Sequence, residues 1–249
     1  MRYCGSKARF IKKMLPILTS KLDKENGIFV DAFGGGMNVI SEIDCNSKVA
    51  IDNNRYVISL WKHLQEHGMK DIPMELTREE YFDIKENYLN REDKYPDFLT
   101  GYVGTCCSYG GAWFNGYAGY NPKRNEDHIK EAYINLEKHI TFFKNLDKTK
   151  FIYEDYSAAQ RYFSPNTIVY CDPPYASTKK YEQDFDNLTF WQWVRKVHTM
   201  VKEIYISEYE APKDFKCIWS KAKADGMGTC CTGGKTNIKI EKLYKLKSK

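Results

Sequence analysis

The sequence predicts an α/β protein: a Rossmann-like, doubly wound, mostly parallel sheet with an antiparallel closing hairpin and an inserted helical lobe. Three observations predict it. Short β-favouring runs recur and end in an acid: "GIFVDAFGGG", "KVAIDNN", "FIYED" and "TIVYCDPPY". Amphipathic helical patterns stand between them, the alternation that builds a parallel sheet. From about residue 70 to 147 that rhythm stops, and helices with a Gly- and aromatic-rich stretch take its place.

In chain order, residues 6–22 have helical spacing, with Phe10, Ile11, Leu15 and Leu18 on one face and Pro16 to bend it. "GIFVDAFGGGMNV" reads as strand, glycine loop and helix start. "KVAIDNN" (48–54) is a second buried strand, followed by an amphipathic helix over 55–68 closed by Gly68. In the interruption, residues 77–90 are helical with Thr77 and Glu80 as a capping box, and 126–143 are helical again. "YVGTCCSYGGAWFNGYAGYNP" (102–122) lies between them. The strand rhythm then resumes with "FIYED" (151–155), a short helix "AAQRYF", the strand "TIVYCDPPY", a helix over 188–203 and the strand "IYISEY" (204–209). "FKCIW" (215–219) and "NIKIEKLYKL" (237–246) alternate as strands around the turn "DGMGTCCTGG". The predicted division is 1–68 with 148–249 as one split domain, and 69–147 as its insert.

With 249 residues and 42 % apolar residues, the chain has material for one sizeable core. The net charge is +5, but residues 213–249 hold ten Lys against three acids. That +7 leaves the first 212 residues at −2. A basic end contacts nucleic-acid phosphates or simply forms a solvated face. None of the eight cysteines forms a C-x-x-C pair, which argues against zinc. With no signal peptide or long apolar run, the expectation is a reduced, cytoplasmic protein whose cysteines are small buried hydrophobes.

The chemistry concentrates at the strand ends. Asp31 precedes Gly34-Gly35-Gly36, where a backbone can approach a ligand closely or simply make a tight turn. Asp52 follows 21 positions after Asp31, where a doubly wound fold hydrogen-bonds a ribose hydroxyl; an ordinary helix N-cap is the plain alternative. In Asp172-Pro173-Pro174-Tyr175, the prolines end the ladder and fix the backbone. Apart from that structural use, a carboxylate and a fixed peptide carbonyl make two acceptors, matching the two donors of an exocyclic amino group. Tyr175 offers a face on which a base stacks.

"DPPY" after a buried strand, "DAFGGG" upstream and "YCGSK" at the start together resemble the Dam-like (DPPY, class alpha) N6-adenine-specific DNA methyltransferases. "IDNNRYVISLWKHLQ", "WFNGYAGYN" and "ISEY" are similar to further segments of that family, so the resemblance spans nearly the whole chain. It implies S-adenosyl-L-methionine as cofactor and adenine N6 in double-stranded DNA as methyl acceptor, flipped from the duplex. It implies Asp172, Pro173 and Tyr175 as catalytic residues. Tyr3 and Lys7 would hold the methionine end, Asp31 would lie at the cofactor turn and Phe33 beside the adenosine. Gly34 and Gly36 would allow close approach, Asp52 would take the ribose, and Asp155 would lie near the cofactor's adenine.

The insert becomes a target-recognition lobe, with Asn115, Tyr120, Asn121, Lys123 and Arg124 facing the substrate. For Lys123 and Arg124 a solvated loop serves equally. The sequence departs from the family where Gly119 stands in place of Arg, and "PKRNEDHIK" runs almost directly into a helix, so the recognition element is shortened or replaced. Trp191 and Trp193 read as packing. Cytosine N4, RNA adenine, a protein amide nitrogen or a silent DNA-binding relative are the competing readings. The expected partner is DNA, with no membrane or metal, for a monomer or weak dimer in a bacterial or phage-infected cytoplasm. A stand-alone enzyme or half of a restriction-modification pair both suit the chain, and its compactness suits a phage.

Overall fold

The computed structural model describes residues 1–174, 185–224 and 238–247. Tyr175 and the turn "DGMGTCCTGG", with Cys230 and Cys231, lie outside the described residues. The elements in order are helix α1 (Ile11–Leu18), strands β1 (Ile28–Asp31) and β2 (Ser47–Asp52), and helices α2 (Arg55–His67), α3 (Arg78–Asn90) and α4 (Asp97–Thr105). A two-stranded ribbon follows, β3 (Tyr120–Asn121) and β4 (Glu126–Asp127), then α5 (His128–Phe142), β5 (Thr149–Tyr153) and β6 (Thr167–Cys171). The chain closes with α6 (Asn187–Val197), β7 (Glu203–Glu208), β8 (Phe215–Ala224) and β9 (Ile238–Leu246).

Seven strands form one sheet in the order β5-β2-β1-β6-β7-β9-β8. The first five are parallel, and β9 runs antiparallel to both β7 and β8. This is the doubly wound sheet with a closing hairpin that the sequence predicts. Alternate residues feed two cores, as a pleat covered on both faces requires. Phe29, Ala50, Ile168, Tyr170 and Tyr205 join one core with α1 and α2. Val30, Val49, Ile51, Val169, Cys171 and Ile206 join the other with α6. Tyr81, Ile84, Tyr102, Val103 and Leu136, from α3, α4 and α5, belong to the first core.

Local chemistry accounts for the helix ends. Thr77 and Glu80 form the expected capping box on α3, and Gly68 closes α2. The buried stripe of α1 is Phe10, Ile11, Met14 and Leu18, with Met14 rather than Leu15 fully inside. At about 1.5–3 kcal/mol per buried side chain, this stripe holds a helix of two turns that would not persist alone.

Several expectations are corrected. The glycine loop opens no α-helix; only a 3₁₀ turn, Ile40–Glu42, follows it. "AAQRYF" lies in a 3₁₀ segment, Tyr156–Tyr162. The helix expected to reach 203 ends at Val197, continuing as one 3₁₀ turn. Cys45, Cys106, Cys107 and Cys171 are buried as expected, whereas Cys4 and Cys217 are exposed. Residues 122–125 do not lead straight into a helix but turn a short hairpin between β3 and β4.

Helix α4 is absent from the sequence reading, because Gly101, Gly104 and Val103 lower its helix propensity. Packing overrides propensity here. A Cβ at Gly101 would overlap the Tyr56 carbonyl, so glycine lets α4 lie directly on α2. Lys48 ties the insert's end to the sheet. It is buried, and its ammonium donates to the carbonyls of Ile40 (3.2 Å), Ile43 (3.3 Å) and Lys144.

Candidate active site

Strand order reverses between β1 and β6: the chain moves outward through β2 and β5 in one direction and through β7 in the other. Open α/β sheets bind ligands at the carboxyl ends of the strands beside such a switch point. Asp31 ends β1, and Asp172 follows the last residue of β6, so the two strands bring the two acids to that edge. The buried Asp31 carboxyl is pushed up to about 8, by burial first, then by Asp172 and Asp52. Its Oδ1 accepts from the Phe33 N–H at 3.3 Å.

Lys7 Nζ lies 2.8 Å from Asp172 Oδ1, with its side chain 3 % exposed. The next described helix, α6, is capped by Asp186. Lys7 is also 3.9 Å from Glu241 Oε2, on β9. Two motifs far apart in the sequence thus share one ion pair. The same ammonium donates to the Gly5 carbonyl at 3.1 Å, which orients it. Pro173 is buried directly beyond Asp172.

The glycine loop is built around the N-terminal motif. Gly35 has φ +47, and a Cβ there would lie 2.8 Å from the Tyr3 ring; one at Gly36 would lie 2.6 Å from Tyr3 Cβ. Glycine is required at 35 by conformation and at both positions by this close approach. A Cβ at Gly34 would meet Met37 Cε at 2.7 Å. Gly111 of the insert (φ +68) closes the other side of Tyr3, where a Cβ would come within 2.9 Å of Tyr3 Cα, and its carbonyl accepts from the Cys4 N–H at 2.9 Å.

Asp52 locks the loop to β2. Its Oδ2 accepts from the Gly35 N–H and its Oδ1 from the Asn54 N–H, both at 2.8 Å. Burial raises the Asp52 carboxyl against the pull of these donors. Asn54, not Asp52, caps α2, accepting from the Tyr56 and Val57 N–H groups. Phe33 stacks on Tyr156 (centroids 5.2 Å) and meets Phe185 and Phe190 edge-on. Asp155 is exposed and caps the 3₁₀ segment, accepting from the Ser157 N–H at 2.9 Å.

Of the residues expected to face a substrate, those at 115–124 lie between α4 and α5. Tyr120 is 58 % exposed, and its hydroxyl donates to Asn125 Oδ1 at 2.6 Å. Asn121 Oδ1 accepts from the Lys123 N–H at 3.2 Å, and Lys123 and Arg124 stand exposed in the β3–β4 turn. Asn115 is also exposed. Trp191 and Trp193 are packing residues in the second core. Sequence reasoning missed Glu241, which it counted only as an acid among lysines. It also missed the aromatic cluster of Tyr156, Phe185 and Phe190 around Phe33; the only local signal was aromatic density. Among the described residues, no helix is long and apolar enough to cross a membrane.

Over 212 residues the chain is 26 % identical to the type II methyltransferase M.FokI of Planomicrobium okeanokoites, covering 78 % of this chain and 31 % of that protein. Over 196 residues it is 26 % identical to the modification methylase StsI of Streptococcus sanguinis, covering 72 % and 28 %. The chain thus spans about a third of the length of these curated relatives. Among solved structures, TrmN from Thermus thermophilus is similar at a TM-score of 0.38 and 9 % identity, covering 96 % of this chain and 53 % of that one. The family model for D12 class N6 adenine-specific DNA methyltransferases matches residues 3–214, and the chain belongs to that family.

Proposed function

We propose that this chain transfers a methyl group from S-adenosyl-L-methionine to the N6 amino group of adenine in double-stranded DNA. The observation that carries the reading is Asp172, beside the switch point of the sheet and paired with the buried Lys7, in a member of this family. The residues fit the cofactor. Lys7 and the neighbouring carboxylates suit an amino-acid headgroup, Asp52 suits a diol at the end of β2, and the Phe33 cluster suits a flat heterocycle. Tyr3, Gly34 and Gly36 line the same turn, and Asp155 follows β5 next to it. When bound, the cofactor supplies a methyl group on a sulfonium, a good leaving centre.

The protein's part is positioning and electrostatics. The N6 lone pair is delocalised into the adenine ring, so the nitrogen is a weak nucleophile. Hydrogen bonds from N6 to the Asp172 carboxylate and the Pro173 carbonyl favour a pyramidal nitrogen with its lone pair free. Tyr175 would stack on the ring. An adenine inside a duplex cannot reach a strand end, so the base must flip. We assign 69–147 as the recognition insert, with Lys123 and Arg124 on the hairpin turn reaching DNA and Asn115, Tyr120 and Asn121 beside them. The acceptor being DNA, we place the protein in a bacterial or phage-infected cytoplasm, as a monomer or weak dimer. The relatives' names support a role in DNA modification.

The test is transfer from labelled S-adenosyl-L-methionine to unmethylated duplex DNA by wild type and Asp172→Ala, with digestion to nucleosides. N6-methyladenine with wild type alone is expected. Label on cytosine, or on RNA but not DNA, overturns the acceptor assignment.

A further inference from the structure

Glu241 is the acid that the basic closing segment hides. It lies beyond residues 3–214, the extent of the family match. The last pair between β7 and β9 is Glu208 with Lys242, so Glu241 is the first residue of β9 past that pairing. It therefore extends over the sheet edge that carries Asp31 and Asp172. Its polarity is inverted for its place: Ile240 is 46 % exposed, whereas Glu241 is 4 % exposed. A strand that turns an isoleucine outward and a carboxylate inward forgoes apolar burial and desolvates a charge, which is costly unless the charge is paired. Among the described residues it meets Lys7 Nζ at 3.9 Å, the ammonium that lies 2.8 Å from Asp172.

We propose that Glu241 is a positioning residue that shares Lys7 with Asp172, so that the Asp172 carboxylate is a stronger acceptor for the target amino group. This rests on the methyltransferase reading above. A carboxylate tied to a single ammonium away from water forms a nearly neutral pair and accepts a further hydrogen bond weakly. A second carboxylate on the same ammonium, little screened because it is buried, draws off part of that pairing and raises the proton affinity of the first. Among the described residues, further titratable groups near this place come from several neighbouring strands. They are Asp31 on β1, Tyr170 and Cys171 on β6, and Glu208 on β7. Lys221 stands opposite Glu241 on β8, beside Lys13 of α1.

The test compares wild type with Glu241→Gln and Glu241→Asp by two readouts. The first is the single-turnover rate of methyl transfer to duplex DNA. The Gln variant is expected to lose about tenfold with an unchanged KM for DNA, as for residues that act through another, and the Asp variant to recover most of it. The second is the titration of the Asp172 carboxyl, followed by carbon NMR in the protein alone. Removing a neighbouring negative charge moves that titration to lower pH in the Gln variant, a shift that a merely structural role does not produce. Should the Gln variant unfold, the Asp variant, its carboxylate drawn back by one methylene, gives both changes at reduced size. An active wild type whose variants keep both rate and titration overturns the role of Glu241 alone. A wild type that methylates no nucleic acid overturns the methyltransferase reading and this role with it.

Discussion

Lys48 and Lys7 are both buried lysines, and they are built differently. Lys48 donates to three main-chain carbonyls, of Ile40, Ile43 and Lys144, with the Phe143 ring 4.6 Å away. Lys7 meets the side-chain carboxylates of Asp172 and Glu241. Main-chain carbonyls cannot titrate or swing away, so the Lys48 site is a fixed stitch between the sheet and the end of the insert. Carboxylates can change protonation and exchange partners, so the Lys7 site can respond to a ligand. A buried cation alone therefore does not mark a functional site; its partners do.

The sharpest way to break the comparison is to remove one partner at each site. Asp172→Asn keeps the shape but removes the charge, and methyl transfer should fall by about 10²–10³-fold while the melting temperature stays near wild type. An Asn variant that retains full activity would show Lys7 and Asp172 to be another stitch. Lys48→Met, in contrast, leaves buried carbonyls without a donor and should cost about 3 kcal/mol of stability by denaturant unfolding. The folded fraction of this variant should keep its rate per molecule, and a lost rate with normal stability would put Lys48 in the chemistry.

A pH series separates the regions further. The Asp31 carboxyl is raised to about 8 by burial and by its acidic neighbours, so the folded state holds this proton more tightly than the unfolded chain does. Its contribution to stability is fully present below the ordinary carboxyl value near 4 and is lost as pH rises towards 8, at up to about 1.4 kcal/mol per pH unit. Asp31→Asn should remove that slope in unfolding measured at pH 5, 6.5 and 8, and an unchanged slope would show that Asp31 holds no such proton. The smallest effect is expected at the exposed lysine of the hairpin turn. Lys123→Ala should lower the salt dependence of DNA binding by about one unit of slope and weaken binding evenly across sequences. A slope equal to wild type would leave Lys123 as a solvated tip.

The sheet was legible because each of its parallel strands combines β-branched or aromatic runs with an acid near its end, and register follows from alternation between two buried faces. The strand-end acids were legible for the same reason. Helix α4 was not, because Gly101 is chosen for contact with Tyr56 and not for helix propensity. The 3₁₀ turn after the glycine loop was not either, since Asp52 and Tyr3 fix that loop from distant parts of the chain. Glu241 was hidden by its neighbours: among lysines an acid reads as surface, whereas in the fold it turns inward towards Lys7.

The contact between Gly111 and Tyr3 bears on how such proteins can be re-engineered. One turn of the insert hydrogen-bonds to Cys4 and has no room for a side chain against Tyr3. Any segment grafted in place of the chain between α4 and α5 would have to bring a left-handed glycine to that spot. The turn at 109–111 is thus a mounting point shared with the first residues of the chain.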